Sequence, residues 1–220
     1  MKNFFLLLIL FLSGFSCHPS KNNATIKTSN TKMTPDQNLK QIVFGGGCFW
    51  CVESCFNQLN GVEKAVSGYS GGHQPHPTYQ EVCTGETGHA EVVQITYHPD
   101  LISYKQLLEV FFFLHDPTQL NRQGDDIGTQ YRSVIFYQNE TEKKEAQEAI
   151  NALDQSGRYP TRVVTEIAPF EVFWPAEEYH QGYYWENPDT PYCSAVVGPK
   201  IQKFIRHFEA KGWLKKAYQP

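Results

Sequence analysis

Residues 45 to 53 read Gly-Gly-Gly-Cys48-Phe49-Trp50-Cys51-Val-Glu53. Glycines let a backbone turn tightly and approach another molecule closely. The apolar run at residues 41–44 reads as a strand, and residues 49–59, free of Pro and Gly, read as a helix. Cys48 is then expected at a strand-to-helix junction, where free N–H groups and the positive end of the helix dipole favour a thiolate. A thiol so placed is a nucleophile near neutral pH, and the chemistry implied is redox or nucleophilic sulfur chemistry. Cys51 and Cys55 follow on the same expected helix. Cysteines three or four apart share a helix face, yet helical geometry strains a direct disulfide between them. The spacing reads as reactive thiols, not as a structural framework.

Other segments dense in polar, aromatic and glycine residues lie at 77–91, 121–132 and 177–193. His73, His76 and His89 stand near Cys83, but the spacing fits no common zinc pattern, so no metal is expected. Cys55 and Cys83 read as inert buried thiols, and His180 reads as a hydrogen-bonding scaffold residue rather than a base. Two other function classes draw on the same residues. A general thiol–disulfide oxidoreductase would use Cys48-x-x-Cys51, a motif that belongs with a later proline-led strand not seen in this sequence. A zinc-stabilised binding module would use Cys48, Cys51, Cys55 or Cys83 with a histidine.

The elements that must position these groups alternate along the chain. Residues 62–69 and 89–97 read as strands, the latter alternating well. Residues 70–77 are a loop, 78–83 a short helical turn, and 103–115 an apolar-faced helix capped by Ser103. Residues 116–130 are polar and too long for a simple connector, which marks a functional loop. Strands are expected at 131–137 and 163–167 and helices at 141–155 and 200–212. Residues 174–184 are expected to be helical in part, with Pro175 in the first turn. The connections argue for an α+β sandwich, helices packed on a mixed, mainly antiparallel sheet.

With 220 residues, 40% of them hydrophobic, the chain can bury one good core. A formal charge of −4 gives no electrostatic reason to expect nucleic acid as a partner. Residues 1–17 resemble a secretory signal, with Lys2, an apolar run from Phe4 to Leu12, and small residues leading to Cys17. Cys17 resembles the lipid-modified cysteine of bacterial lipoproteins. Export to a bacterial periplasm or cell envelope, with membrane attachment through Cys17, is the expectation. Residues 18–39 read as a flexible polar tether.

Four stretches in order, Gly47-Cys-Phe-Trp50, residues 77–91 ending His-Ala-Glu91, residues 121–133 and Ala176-Glu-Glu-Tyr-His-Gln181, closely resemble peptide methionine sulfoxide reductase A. The resemblance implies a catalytic domain over residues 40–200, followed by a C-terminal helix and tail over 201–220. It implies a two-layer sandwich with a ferredoxin-like core, acting as a monomer. It also implies reduction of methionine-S-sulfoxide in oxidised proteins, with no bound cofactor and an external thioredoxin-type dithiol as reductant. By that resemblance Cys48 attacks sulfur and ends as a sulfenic acid. Glu91 supplies a proton to the sulfoxide oxygen, and Tyr79 and Tyr131 share that oxygen. Phe49 and Trp50 form the apolar wall for the substrate methyl, and Asp126 binds or orients. Cys193 matches a resolving thiol on a flexible C-terminal stretch and is the favoured first resolver. Cys51 remains the alternative, as a relay or as a direct partner.

Overall fold

The computed structural model describes residues 38–216. The signal-like stretch, Cys17 and the tether through residue 37 lie outside the described residues. In the first half β1 (Lys40–Gly46), α1 (Phe49–Phe56), β2 (Val62–Ser70), α2 (Tyr79–Cys83), β3 (Ala90–Tyr97) and α3 (Tyr104–Leu114) succeed one another. The second half holds β4 (Arg122–Gln123), β5 (Asp126–Ile127), β6 (Ser133–Tyr137), α4 (Glu140–Gln155), β7 (Glu166–Pro169), β8 (Trp174–Pro175), α5 (Tyr183–Glu186) and α6 (Gly198–Glu209). Single tighter turns lie at Thr129–Tyr131 and Glu178–His180, and a π-helical stretch at Cys193–Val197 leads into α6.

The main sheet runs β7-β6-β1-β3-β2-β8, with β6 and β7 parallel and the other neighbours antiparallel. Its inner strands, joined through α1 and α3, give the βαββαβ order of a ferredoxin-like core. The fold is α+β, as the alternation of elements suggested. Ile42, Phe44, Val93 and Ile95 turn to the helices, where they meet Phe56, Leu107, Phe111, Phe204 and Phe208. Each such side chain, fully buried, contributes about 1.5–3 kcal/mol. Val43, Val92, Val134 and Phe136 turn the other way, under Ala168, Phe170 and Phe173 from the chain around β7. Covering both faces explains why the alternation read in β3 does not separate inside from outside: of its residues only Gln94 is not buried.

Local chemistry sets the element ends. Ser103 and Gln106 exchange backbone hydrogen bonds in a capping box at the start of α3, and Thr78 and Glu81 do the same for α2. Helix α1 stops at Phe56 rather than at residue 59. There Asn57 accepts from the Ala65 N–H at 2.8 Å and donates to its carbonyl at 3.1 Å, which draws the chain back into β2. The segment 174–184 is helical in part, as expected, at Glu178–His180 and from Tyr183, but it opens as edge strand β8, where Pro175 is tolerated because no ladder hydrogen bond is asked of it. The strand expected at 163–167 lies at Glu166–Pro169, where parallel pairing with β6 places it. A boundary at residue 200 falls inside α6, whose Ile201, Phe204 and Phe208 are buried in the main core, so this helix belongs to the same body.

The three glycines divide their work. Gly45 and Gly46 are strand residues, and a Cβ on Gly45 would lie 2.9 Å from the Glu91 carbonyl oxygen. A Cβ on Gly46 would lie 3.1 Å from Phe111 and 3.2 Å from His115. Only Gly47 makes the turn, at φ 85°, with Gln123 2.7 Å from where its Cβ would be. The close approach is thus to this chain's own atoms. Gly47→Ala combines a left-handed φ with a clash and should destabilise the protein by at least about 2 kcal/mol. A urea midpoint equal to the wild type's would refute the turn's requirement for glycine.

Candidate active site

Beyond Gly47, Cys48 is the N-cap of α1, with φ −52° and ψ 120° and no side-chain cap of its own. The cap comes from the neighbouring strand: Glu91 Oε2 accepts the Phe49 N–H at 3.1 Å. Glu91 sits on β3, beside β1, and is 2% exposed. Tyr79 opens α2, where Glu177 Oε1 accepts its N–H at 2.9 Å while Oε2 accepts the Tyr69 hydroxyl at 2.9 Å. The long 116–130 loop is ordered by its own amides. Gln123 Oε1 accepts the Asp116 N–H at 2.7 Å, and Gln119 Oε1 accepts that of Gly124 at 2.7 Å. This β4–β5 ribbon brings Asp126 and Tyr131 to the same place.

The meeting point is a cavity of about 300 Å³ lined by Cys48, Phe49, Trp50, Tyr79, Glu91, Asp126, Tyr131 and Tyr192. Tyr192 is the residue that sequence reasoning missed. Its hydroxyl donates to Asp126 Oδ2 at 2.6 Å, its ring meets Trp50 edge-on at 5.9 Å, and it shares the cavity lining with Cys48. Its place beside Cys193 in an aromatic-rich segment was the available signal, but nothing in the spacing shows the ring folding back into the cavity.

The electrostatics differ from the expectation at one point. Cys48 is 6% exposed, and burial pushes its thiol well up, with a hydrogen bond to Cys51 and the Cys51 charge acting in the same direction. The Tyr192 hydroxyl and the Trp50 amide oppose this without overcoming it. Desolvation thus works against the thiolate that the helix end favours, and it is the larger influence. Burial also raises the Glu91 carboxyl well above the carboxylate range, and a charge on Cys48 raises it further, against the Phe49 N–H. The site admits one negative charge far more readily than two. Burial, then Glu91, keeps the Tyr79 and Tyr131 hydroxyls protonated donors.

The other thiols lie in distinct settings. Cys51 is N3 of α1, one turn past the Cys48 N-cap, and its N–H donates to the Cys48 carbonyl at 3.2 Å. Cys48 itself, at φ −52° and ψ 120°, stands off the helical path on which the strain between the two was expected. Cys193 is fully buried, in the π-helical turn and the main core, not on a flexible stretch. Cys55 is buried and its thiol is raised by desolvation, whereas Cys83, expected to be buried, is exposed at the end of α2. Among the described residues no three His, Cys, Asp or Glu side chains gather as a metal site requires.

The apolar wall is held from behind. The Trp50 indole can only donate, so His180 Nδ1 accepts at 3.2 Å and the imidazole carries its proton on Nε2, 3.9 Å from Glu177. Burial lowers the His180 pKa and favours that neutral ring. Tyr183 stacks on Trp50 at 3.8 Å with 11° between planes, and His180 packs against Phe49 at 5.0 Å.

Residues 40–212 match the family model described as peptide methionine sulfoxide reductase. The Nautilia profundicola protein named peptide methionine sulfoxide reductase MsrA is 52% identical over 168 residues, 76% of this chain and 95% of that protein. The Saccharolobus solfataricus protein of the same name is 53% identical over 167 residues, 76% of this chain and 93% of that protein. Among solved structures, methionine sulfoxide reductase A of Corynebacterium diphtheriae superposes with a TM-score of 0.63 at 35% identity, covering 69% of this chain and 76% of its own. Mxr1 from Saccharomyces cerevisiae in reduced form gives 0.66 at 32% identity, covering 74% and 94%. A family model that begins with β1 and ends just past α6 takes in every element that builds the cavity, and this chain belongs to the peptide methionine sulfoxide reductase family.

Proposed function

We propose that the enzyme reduces methionine-S-sulfoxide in oxidised proteins by attack of Cys48 on the sulfoxide sulfur. The observation that carries this reading is the single cavity holding a thiol, a neutral carboxyl, two tyrosine donors and an apolar wall. The oxygen lies with Glu91, Tyr79 and Tyr131, and the methyl against Phe49 and Trp50. A shape-selective wall opposite oxygen donors accepts one epimer. Because burial disfavours a standing thiolate, the Cys48 charge develops as Glu91 protonates the oxygen and makes the sulfur electrophilic, and the proton leaving the Cys48 sulfur returns to Glu91. The net step converts thiol and sulfoxide to sulfenic acid and sulfide, two electrons passing from the Cys48 sulfur to the methionine sulfur.

The sulfenic acid is then cleared by a second thiol, losing water and forming a disulfide. The place of Cys51 one turn from Cys48, with Cys193 packed in the core, supports Cys51 as the first partner, the reverse of the order the sequence suggested. Cys193 takes over the disulfide as the π-helical turn opens, and an external thioredoxin-type dithiol reduces it by exchange. The signal-like N-terminus with Cys17 supports placing this activity in a bacterial envelope.

Order of resolution is tested by mixing one equivalent of S-sulfoxide with reduced enzyme and mapping disulfides against time. Cys51→Ser should prolong the sulfenic acid by about tenfold or more, since the nearest thiol is gone. Cys193→Ser should form the Cys48–Cys51 disulfide at the wild-type rate but turn over slowly with thioredoxin. A Cys48–Cys193 bond appearing first in the wild type would reverse the assignment.

A further inference from the structure

We infer that Glu53 is a positioning residue for the methyl-binding wall: it fastens the strap of residues 176–183 so that His180 and Tyr183 hold the Trp50 indole in one orientation. This rests on the reaction proposed above. Glu53 lies on α1 one turn beyond Trp50, is 4% exposed, and is not among the residues lining the cavity. The Gly182 N–H donates to its two oxygens at 3.0 and 3.2 Å, and the Ser67 hydroxyl is 3.2 Å from Oε2. Gln181, next to Gly182, completes the knot. Its Oε1 accepts the Ser67 N–H at 3.0 Å, and its Nε2 donates to the Ser67 and Ala176 carbonyls at 3.0 and 3.1 Å.

Gly182 then turns at φ 63°, and the next residue is the tyrosine stacked on Trp50. Two residues before it stands His180, which accepts the indole N–H. The stacking ring and the indole's hydrogen-bond acceptor both belong to the strap, and the strap is tied to α1 through Glu53. Trp50 lines the cavity, so release of the strap loosens the surface that receives the substrate methyl.

Burial disfavours the charged form of this acid, and the knot's own hydrogen bonds work against that burial. Burial raises Glu53 to about 7, against the Gly182 amide and the Ser67 hydroxyl. Among the described residues no charged side chain from α1, β2, the strap or α6 adds to these. Its oxygens accept the Gly182 N–H and the Ser67 hydroxyl; ionised, it is a buried charge with one amide and one hydroxyl to offset it. Glutamine keeps an oxygen for the Gly182 N–H and carries no charge at any pH, its amide meeting the Ser67 oxygen once that hydroxyl turns to accept.

Steady-state reduction of an S-sulfoxide peptide, from pH 6 to pH 9, tests this on Glu53→Ala and Glu53→Gln. Glu53→Ala should raise KM about tenfold with kcat within about twofold, the pattern of lost uniform binding. Glu53→Gln should keep the wild-type KM at pH 6 and hold it to pH 9, where the wild-type KM has risen. The second readout needs no turnover: the near-ultraviolet circular dichroism of Trp50, taken against Trp50→Phe in each background, should be lost in Glu53→Ala and kept in Glu53→Gln. Wild type without turnover would sink the proposed reaction while this signal still judged Glu53. An unchanged KM and dichroism in Glu53→Ala, or superimposable pH profiles for wild type and Glu53→Gln, would overturn the inference.

Discussion

Cys48→Ser is expected to abolish reduction of methionine-S-sulfoxide, lowering the single-turnover rate by roughly four orders of magnitude or more, as loss of a nucleophile does elsewhere. The change replaces one atom. Serine fits where Cys48 is 6% exposed, its hydroxyl can keep the contact with Tyr192, and α1 still begins on the Glu91 cap. The cavity walls, supplied by α2, β3 and the β4–β5 loop, do not depend on the sulfur. Binding of the sulfoxide should therefore survive while chemistry stops, because an alkoxide is far harder to form in this dry site than a thiolate. Burial already lifts the Cys48 thiol, and a hydroxyl starts from a much weaker acidity. Rapid-quench assay of methionine formation checks this, with peptide binding measured in parallel. Turnover surviving in the serine variant would transfer the attack to another thiol and end the proposed mechanism.

Much of this arrangement was readable because it is local. The capping boxes at Thr78 and Ser103, the turn before Cys48 and the seven candidate residues that line the cavity are short-range patterns or motif positions. What was not readable depends on partners distant in sequence. The ionisation of Cys48 is such a case: the helix start is visible from residues 45 to 53, but the burial that works against it needs a cavity lining drawn from residues as far apart as Tyr79 and Tyr192. The strain assigned to Cys48 and Cys51 treated both as helical, whereas the backbone at Cys48 is an N-cap. The resemblance implied a flexible stretch around Cys193, yet the π-helical turn feeds it into the core with Val197, Ile201 and Phe204. The second covered face of β3 needs Phe170 and Phe173, far along the chain, to be in place first.

Glu91→Gln is expected to slow the reductive step by roughly 10²- to 10⁴-fold, the range for loss of a positioned acid. Glutamine can keep its oxygen on the Phe49 N–H and leave α1 capped, so sulfoxide binding should change little. It can still offer an N–H to the oxygen, but it has no proton to give up. No neighbour replaces that proton: burial and Glu91 hold Tyr79 and Tyr131 as very weak acids, and Tyr192 already donates to Asp126. The pH dependence carries a definite sign. Glu91 acts while protonated, and its carboxyl is raised well above the usual range, so the acid survives at neutral pH and the rate falls as pH climbs through that raised value. The variant should lack this alkaline fall. Single-turnover rates of both proteins across pH would decide it. A glutamine variant with the wild-type rate would mean that solvent supplies the proton. Glu91 would then serve only as the borrowed cap of α1, and the desolvation that keeps it neutral would be a consequence of its position rather than part of catalysis.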